Sequence, residues 1–231
     1  MLVHFFRRRP EGYWFFVILF LGPIGALIYF VMEVIPDLRI KPPAIQAFER
    51  RRRRQWLEQV AGDSPSLENL QELGEIHAAE GGHQQAIDYF SRVLKRDPEA
   101  HEALYGRAQS RIETGDFAGA AADLEPVVRV EPAYHFYEAY LTLAECYEKL
   151  GQDDAALRVY QEILGHTTIS RAYYNYGQLL ARRGDMASAR EMMQQILAKQ
   201  PALPRYLRRQ ERPWFHKAEA FLKANGKSSA K

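Results

Sequence analysis

The sequence predicts an all-α chain: one N-terminal transmembrane helix, then an α-solenoid of about four helical hairpins closed by a C-terminal capping helix. Three observations predict it. A run without a single charge extends from Tyr13 to Met32. A five-place residue pattern returns four times between residues 67 and 203. The composition is close to the globular average, with 47% hydrophobic and 26% charged residues, 15 Gly and 12 Pro in 231, which sets the chain apart from low-complexity disorder. A single Cys excludes an intramolecular disulfide framework and every multi-cysteine zinc or iron–sulfur site, so stability must come from packing.

Charge divides the chain into three zones. Residues 1–60 hold ten Lys or Arg against five Asp or Glu, residues 61–203 hold 13 against 22, and residues 204–231 hold eight against two. The overall balance of +2 argues against a general nucleic-acid binder. A basic head and a basic tail flanking an acidic middle fit an anionic membrane contact beside a polar binding domain; a solvated terminus explains the tail equally.

The expected organisation begins with a basic tail at 1–12 and a transmembrane helix at 13–34. Twenty apolar residues at about 1.5 Å each reach roughly 30 Å, the thickness of a hydrocarbon core. Trp14 and Tyr29 sit near the ends, where amphipathic rings prefer the interface. No small-residue cleavage site follows, which points to an uncleaved anchor. Pro23, mid-span after Gly22, removes a helical hydrogen bond and hints at a packing partner. Trp14, Gly22, Pro23, Ile24, Gly25 and Tyr29 also resemble the second hydrophobic helix of the phospholipase D-nuclease N-terminal membrane domain, over about 20 residues. No His-Lys-Asp catalytic motif follows, so that resemblance implies an anchor and no lipase.

A basic juxtamembrane linker or helix is expected at 35–62. Arg50, Arg51, Arg52, Arg53 and Arg54 either rest on anionic headgroups or form one face of a solvated helix from about Ala44 to Val60. Counting positive charges on both sides of the span favours a cytoplasmic repeat domain in a single-pass membrane protein, although Arg7, Arg8 and Arg9 pull the other way.

The repeat array occupies 63–203, in units near 67–100, 101–134, 137–169 and 170–203. Gly74, Ala108, Ala144 and Gly177 lie 34, 36 and 33 residues apart. Each is followed seven residues on by Gly81, Gly115, Gly151 or Gly184. Five further stand Ala86, Ala120, Ala156 and Ala189, then Phe90, Leu124, Tyr160 and Met193, then Pro98, Pro132, Thr168 and Pro201. Small residues let two helix backbones approach closely. A glycine ends the first helix in the left-handed conformation, and a proline follows the second, which it cannot continue. The spacing predicts helices at 66–80 and 83–96, 100–114 and 117–130, 136–150 and 153–165, and 170–183 and 186–199. Each hairpin alone exposes an apolar face, so stacking makes the core.

This pattern resembles the tetratricopeptide repeat (TPR). Departures are informative. Arg107 and Arg111 replace Leu and an aromatic, which predicts looser packing or arginine stems used as spacers. Pro126 should bend its helix, and two extra residues near His135 and Phe136 should change the superhelical angle. At 204–231, Pro213 is expected to open a basic helix whose Trp214, Phe215, Ala218, Phe221 and Leu222 cap the last hairpin, ahead of a frayed tail.

Short catalytic motifs are missing. The seven histidines are scattered, with no zinc-protease pattern, phosphate-cradling loop or nucleophile elbow. Cys146 falls where other repeats carry Ile76, Ser110 and Leu179, so it reads as core. No catalytic, cofactor or metal site is expected, and no enzyme activity. What remains is binding. The resemblance implies a concave groove lined by the first helices: Glu68, Gln71, Glu72, Glu75 and Ala79; Glu102, Tyr105, Gln109 and Glu113; Glu138, Leu141, Thr142, Glu145 and Glu148; Arg171, Tyr174, Asn175, Gln178 and Arg182. Such a groove is acidic along three units and basic at its far end. It would attract Lys or Arg of a protein or peptide, with Arg171 and Arg182 free for a partner carboxylate. Gln71 and Glu75 stand where relatives that grip a C-terminal carboxylate carry Lys and Asn, which disfavours a heat-shock-chaperone adaptor. The expected function is a membrane-anchored adaptor that recruits a protein partner through the groove. The alternatives are a structural subunit of a membrane complex or self-associating assembly factor, and an enzyme without a recognisable motif.

Overall fold

The structure, a computed structural model, describes residues 20–25, 28, 43–60, 65–135 and 137–225. These residues form helices joined by turns and short irregular links, with no strand among them. Two compact units divide at Gly62 and Asp63.

In the first unit, α1 spans Pro43–Val60. Two of its arginines are held along the helix itself: Arg54 donates to Glu58 at 3.2 Å and the Arg53 guanidinium lies 4.6 Å over the Trp56 ring. Ile45, Phe48, Trp56 and Val60 stay exposed while Leu57 is buried. The expected single-pass membrane localisation is corrected here. Among the described residues, no helix is long and apolar enough to cross a membrane. Of the 13–34 stretch, residues 20–25 and 28 are described, and they are helical. Within them Gly22 takes φ 53° and Pro23, which has no N–H, follows it. Trp14 and Tyr29 lie outside the described residues.

The second unit carries eight helices in four hairpins: α2 (Leu67–Ala79) with α3 (His83–Arg96), α4 (His101–Glu113) with α5 (Phe117–Val130), α6 (Glu138–Lys149) with α7 (Asp153–Leu164), and α8 (Ser170–Arg182) with α9 (Met186–Ala198). A 3-10 turn at Gln200–Ala202 leads into α10, Arg205–Asn225. The spacing places each hairpin helix within two residues of its observed ends. The four recurrent glycines explain that accuracy. Gly81, Gly115, Gly151 and Gly184 take φ of 81°, 83°, 70° and 88°. At each one, the glycine N–H and the next N–H turn back onto the preceding helix: Gly81 onto Ala78 and Gly82 onto His77, Gly184 onto Ala181 and Asp185 onto Leu180. This is the paired C-terminal closure that a left-handed residue permits. Asp116 and Asp185 then cap the following helices by accepting from Gly119 N at 2.9 Å and Ser188 N at 3.0 Å.

The recurrent alanines Ala86, Ala120, Ala156 and Ala189 are fully buried, as are Leu124, Tyr160 and Met193. Phe90 is clasped between first helices. A Cβ on Gly74 would stand 2.7 Å from its ring, and one on Gly106 2.6 Å. Cys146 is free and buried, and burial pushes its thiol up to about 11, an inert core residue.

Three departures need a physical account. Arg107 and Arg111 do not loosen repeat two, because both converge on the buried Asp123 of α5. Arg107 bonds it at 2.9 and 2.6 Å and Arg111 at 2.7 Å, while Ser91 Oγ and the Gly119 carbonyl take further guanidinium N–H groups. Second, α5 runs through Pro126 as one helix. The extra residues after it appear instead as a turn in which His135 and Tyr137 take φ of 47° and 67°. Third, α10 starts eight residues before Pro213, which lies inside it. The helix forgoes one N–H bond there on an exposed face. Phe215 and Ala218 of α10 are buried in a small core with Met193 and Ile196 of α9.

Candidate partner-binding groove

Several of the residues that the sequence assigns to a groove meet between repeats three and four, about one repeat length apart. Arg171 of α8 reaches back 26 and 33 residues to α6. It bonds Glu145 through two nitrogens, at 2.9 and 2.5 Å, and pairs with Glu138 through a third. Burial works against this charge, but the bonds to Glu145 and Glu138 outweigh it and raise the guanidinium pKa. Asn175 adds a 2.7 Å bond to Glu145. Arg182 pairs with Glu148, which also accepts the hydroxyl of the buried Tyr160 at 2.6 Å. Burial, then Glu148, raises the Tyr160 phenol pKa far above its usual range. Between these side chains lies a cavity of about 480 Å³ lined by Glu145, Glu148, Lys149, Asp153, Asn175, Gln178 and Arg182.

This geometry changes the charge map. Arg171 and Arg182 are paired inside the chain instead of standing open for a partner carboxylate, and their two charges offset two of the three groove carboxylates of repeat three. Thr142 and Leu141 are buried, and the Thr142 hydroxyl donates to the Glu138 carbonyl at 2.8 Å. At the far end Gln178 donates to the Tyr174 hydroxyl at 2.9 Å. Trp214 of α10 packs on Tyr174 with centroids 5.7 Å apart, and Lys217 Nζ lies 4.1 Å over the Trp214 ring. The capping helix thus closes this end of the groove with its own cation.

The first half is used differently. Glu68 serves the start of α2: its carboxyl is held below the usual range by its own backbone N–H and by Ser66. Gln71 donates to Glu75 at 2.8 Å, and Glu72 is half-buried beside them. Glu75, Glu102 and Glu113 are exposed, and among the described residues none of the three forms an ion pair. Tyr105, with Gln109 beside its hydroxyl, has its pKa raised by burial and by Glu138. Sequence reasoning missed Tyr134 and His135, which the inserted turn brings onto Tyr105, and Glu131 just before them. The signal was present as two extra residues, read only as a change of superhelical angle.

Known proteins share this pattern. One tetratricopeptide-repeat profile matches residues 72–125 and 169–204, and a second matches 111–168. Residues 72–204 are tetratricopeptide repeats. The TPR array is similar to the tetratricopeptide repeat and J domain-containing co-chaperone DNJ1 of Fusarium oxysporum f. sp. lycopersici, at 29% identity over 131 residues, 56% of this chain. The chain spans only 24% of that relative's length. Among solved structures, a double mutant of MamA RS-1 superposes with a TM-score of 0.61 at 22% identity, covering 66% of this chain and 86% of that one. YrrB, described as a TPR protein with an unusual peptide-binding site, gives 0.58 at 20% identity, covering 68% and 80%. At these identities the structural matches show the TPR fold. The family matches begin at residue 72, so they lend no support to the expected anchor or to its phospholipase D-nuclease resemblance.

Proposed function

We propose that the TPR array is a binding scaffold that takes a protein or peptide partner along the groove formed by α2, α4, α6 and α8, and that the bound segment is basic over repeats one and two. The observation that carries this reading is the asymmetry of charge use: Glu75 and Glu102 have no cation of their own among the described residues, whereas the acids of repeat three do. Exposed carboxylates without a paired cation raise the encounter rate of a basic segment and make it salt-sensitive. The description of YrrB as peptide-binding, on the same fold, supports the reading.

The test is selection from a randomised displayed peptide library against the full chain. Selected peptides are expected to be enriched in Lys and Arg, to bind less tightly as salt rises, and to be lost by a folded Glu75→Lys/Glu102→Lys variant. Peptides that lack basic residues, or that bind this variant equally, overturn the reading. A second reading, self-association or a fixed place in a complex, is favoured by α1, where Phe48 and Trp56 are 67% and 47% exposed. Sedimentation velocity of the chain against a Phe48→Ser/Trp56→Ser variant tests it, and a monomer in both cases removes self-association.

A further inference from the structure

The first half of the groove contains more than unpaired carboxylates. His135, turned by its positive φ, lies flat against Tyr105, with ring centroids 4.9 Å apart and planes within 12°. Tyr134, only 7% exposed, meets both rings edge-on, at 5.4 and 4.5 Å. Glu102 stands one helical turn before Tyr105 on α4, Glu131 three residues before Tyr134, and Glu75 on α2, the first helix of repeat one, packed against α4. All three lie close enough to the Tyr134 phenol to help push its pKa up to about 12, after the larger effect of burial. Glu131, like Glu75 and Glu102, is exposed and forms no ion pair among the described residues.

At three other places the chain supplies its own cation to a ring, among them Arg92 over Tyr89. Lys217 sits over Trp214 and Tyr174, and Arg53 over Trp56. Among the described residues, no cation lies over Tyr105. Flat aromatic faces attract cations electrostatically. Carboxylates at their edge discriminate further. A planar guanidinium can stack on a ring and still aim its N–H groups sideways at carboxylate oxygens, which a compact ammonium cannot do as well.

We propose that Tyr105 and His135, edged by Glu75, Glu102 and Glu131, form a subsite for an arginine side chain of the bound partner. The subsite deepens the groove reading and rests on it. It commits that reading to arginine rather than lysine, and to the junction of repeats one to three.

The test measures fluorescence anisotropy of the full chain with three labelled polyalanine peptides carrying spaced arginines, lysines or citrullines. The arginine peptide is expected to bind about threefold or more tighter than the lysine peptide, the scale of a partly exposed cation–ring contact, and the citrulline peptide not measurably. Glu102→Gln, at an exposed position, should weaken the arginine peptide. Tyr105→Leu should erase the preference for arginine over lysine. Equal binding of the arginine and lysine peptides, or no binding of the arginine peptide, overturns the subsite. Hydrogen exchange on the arginine-peptide complex separates this failure from failure of the groove itself. Protection of α2, α4 and α6 with the preference unchanged in Tyr105→Leu overturns the subsite and keeps the groove. Protection confined to second helices or to α10 overturns both.

Discussion

Replacing Asp123 by Ala should be the most damaging single change in the repeat array that leaves its apolar core intact. Asp123 is 3% exposed and accepts three N–H bonds from Arg107 and Arg111. Removing one partner of a buried ion pair costs roughly 3–5 kcal/mol, because the remaining charge is left uncompensated. Here the arginine side chains keep 18% and 21% of their exposure, so water reaches them partly and the lower end, about 3 kcal/mol, applies. With a urea slope of about 2 kcal/mol per molar, the midpoint of the helical circular-dichroism transition should fall by about 1.5 M. Hydrogen exchange should show α4 and α5 opening first, since each repeat depends on its neighbours. Substituting all three residues together, Arg107→Leu, Arg111→Tyr and Asp123→Leu, should recover most of the loss, because a packed apolar trio replaces a network that gains little net energy. A midpoint shift under about 0.5 M for Asp123→Ala, equivalent to about 1 kcal/mol, would refute the network and return the arginines to the role of spacers.

Four further outcomes follow from the same coordinates. Gly106→Ala should cost about 1–3 kcal/mol by thermal unfolding, since the new methyl would lie 2.6 Å from Phe90, and Phe90→Leu in the same chain should relieve it. Gly115→Ala, at φ 83°, should cost about 1–2 kcal/mol with nothing around it to clash; a stability gain would contradict the left-handed closure. Asp185 has its pKa lowered by Ser188. A depressed acid contributes above its unfolded pKa and loses that contribution as pH falls through the folded one, so the melting difference between the native chain and Asp185→Ala should be full at neutral pH and vanish in acid. Tyr140 and Tyr147, each pushed up to about 12 by burial and by bonds to Glu162 and Glu125, act with the opposite sign. Their contribution is complete below the ordinary tyrosine pKa near 10 and is lost towards pH 12. Phenolate absorbance should therefore rise late in the folded chain, and Tyr147→Phe should flatten the alkaline loss of stability.

The fold was legible because its punctuation is local. A glycine forced to positive φ, a buried alanine four residues before a bulky side chain and a proline past the second helix each act within one hairpin, so Gly81 and Gly184 mark helix ends whatever the rest of the chain does. Composition was a poorer guide where conformation decides. The run from Tyr13 to Met32 is apolar enough to suggest a span, yet among the described residues no helix is long and apolar enough to cross a membrane, and a hydropathy count does not register that Gly22 takes φ 53°. Pro213 misled in the other direction. Its preference for the first turn is strong, but the apolar stripe of α10 packs on α9 and carries the helix through it.

The charge pattern of the proposed groove was illegible in the sequence, for a reason the repeat itself supplies. Residues one repeat apart become neighbours on adjacent first helices, so the sum of charges along one helix says little about what a partner meets. Glu138 and Arg171 are 33 residues apart and Glu148 and Arg182 are 34, and both pairs close inside the chain. The same offset applied to repeats one and two brings Glu68 to Glu102, Gln71 to Tyr105 and Glu75 to Gln109, with no cation at any of these places. Adding the repeat length to each groove position therefore separates, from sequence alone, the half with its own cations from the half without them. It would not have found His135, which reaches Tyr105 only because an inserted turn holds a non-glycine residue at φ 47°. Such a conformation is sustained only where surrounding packing fixes it, and here the packing is Tyr134, buried against the rings of Tyr105 and His135.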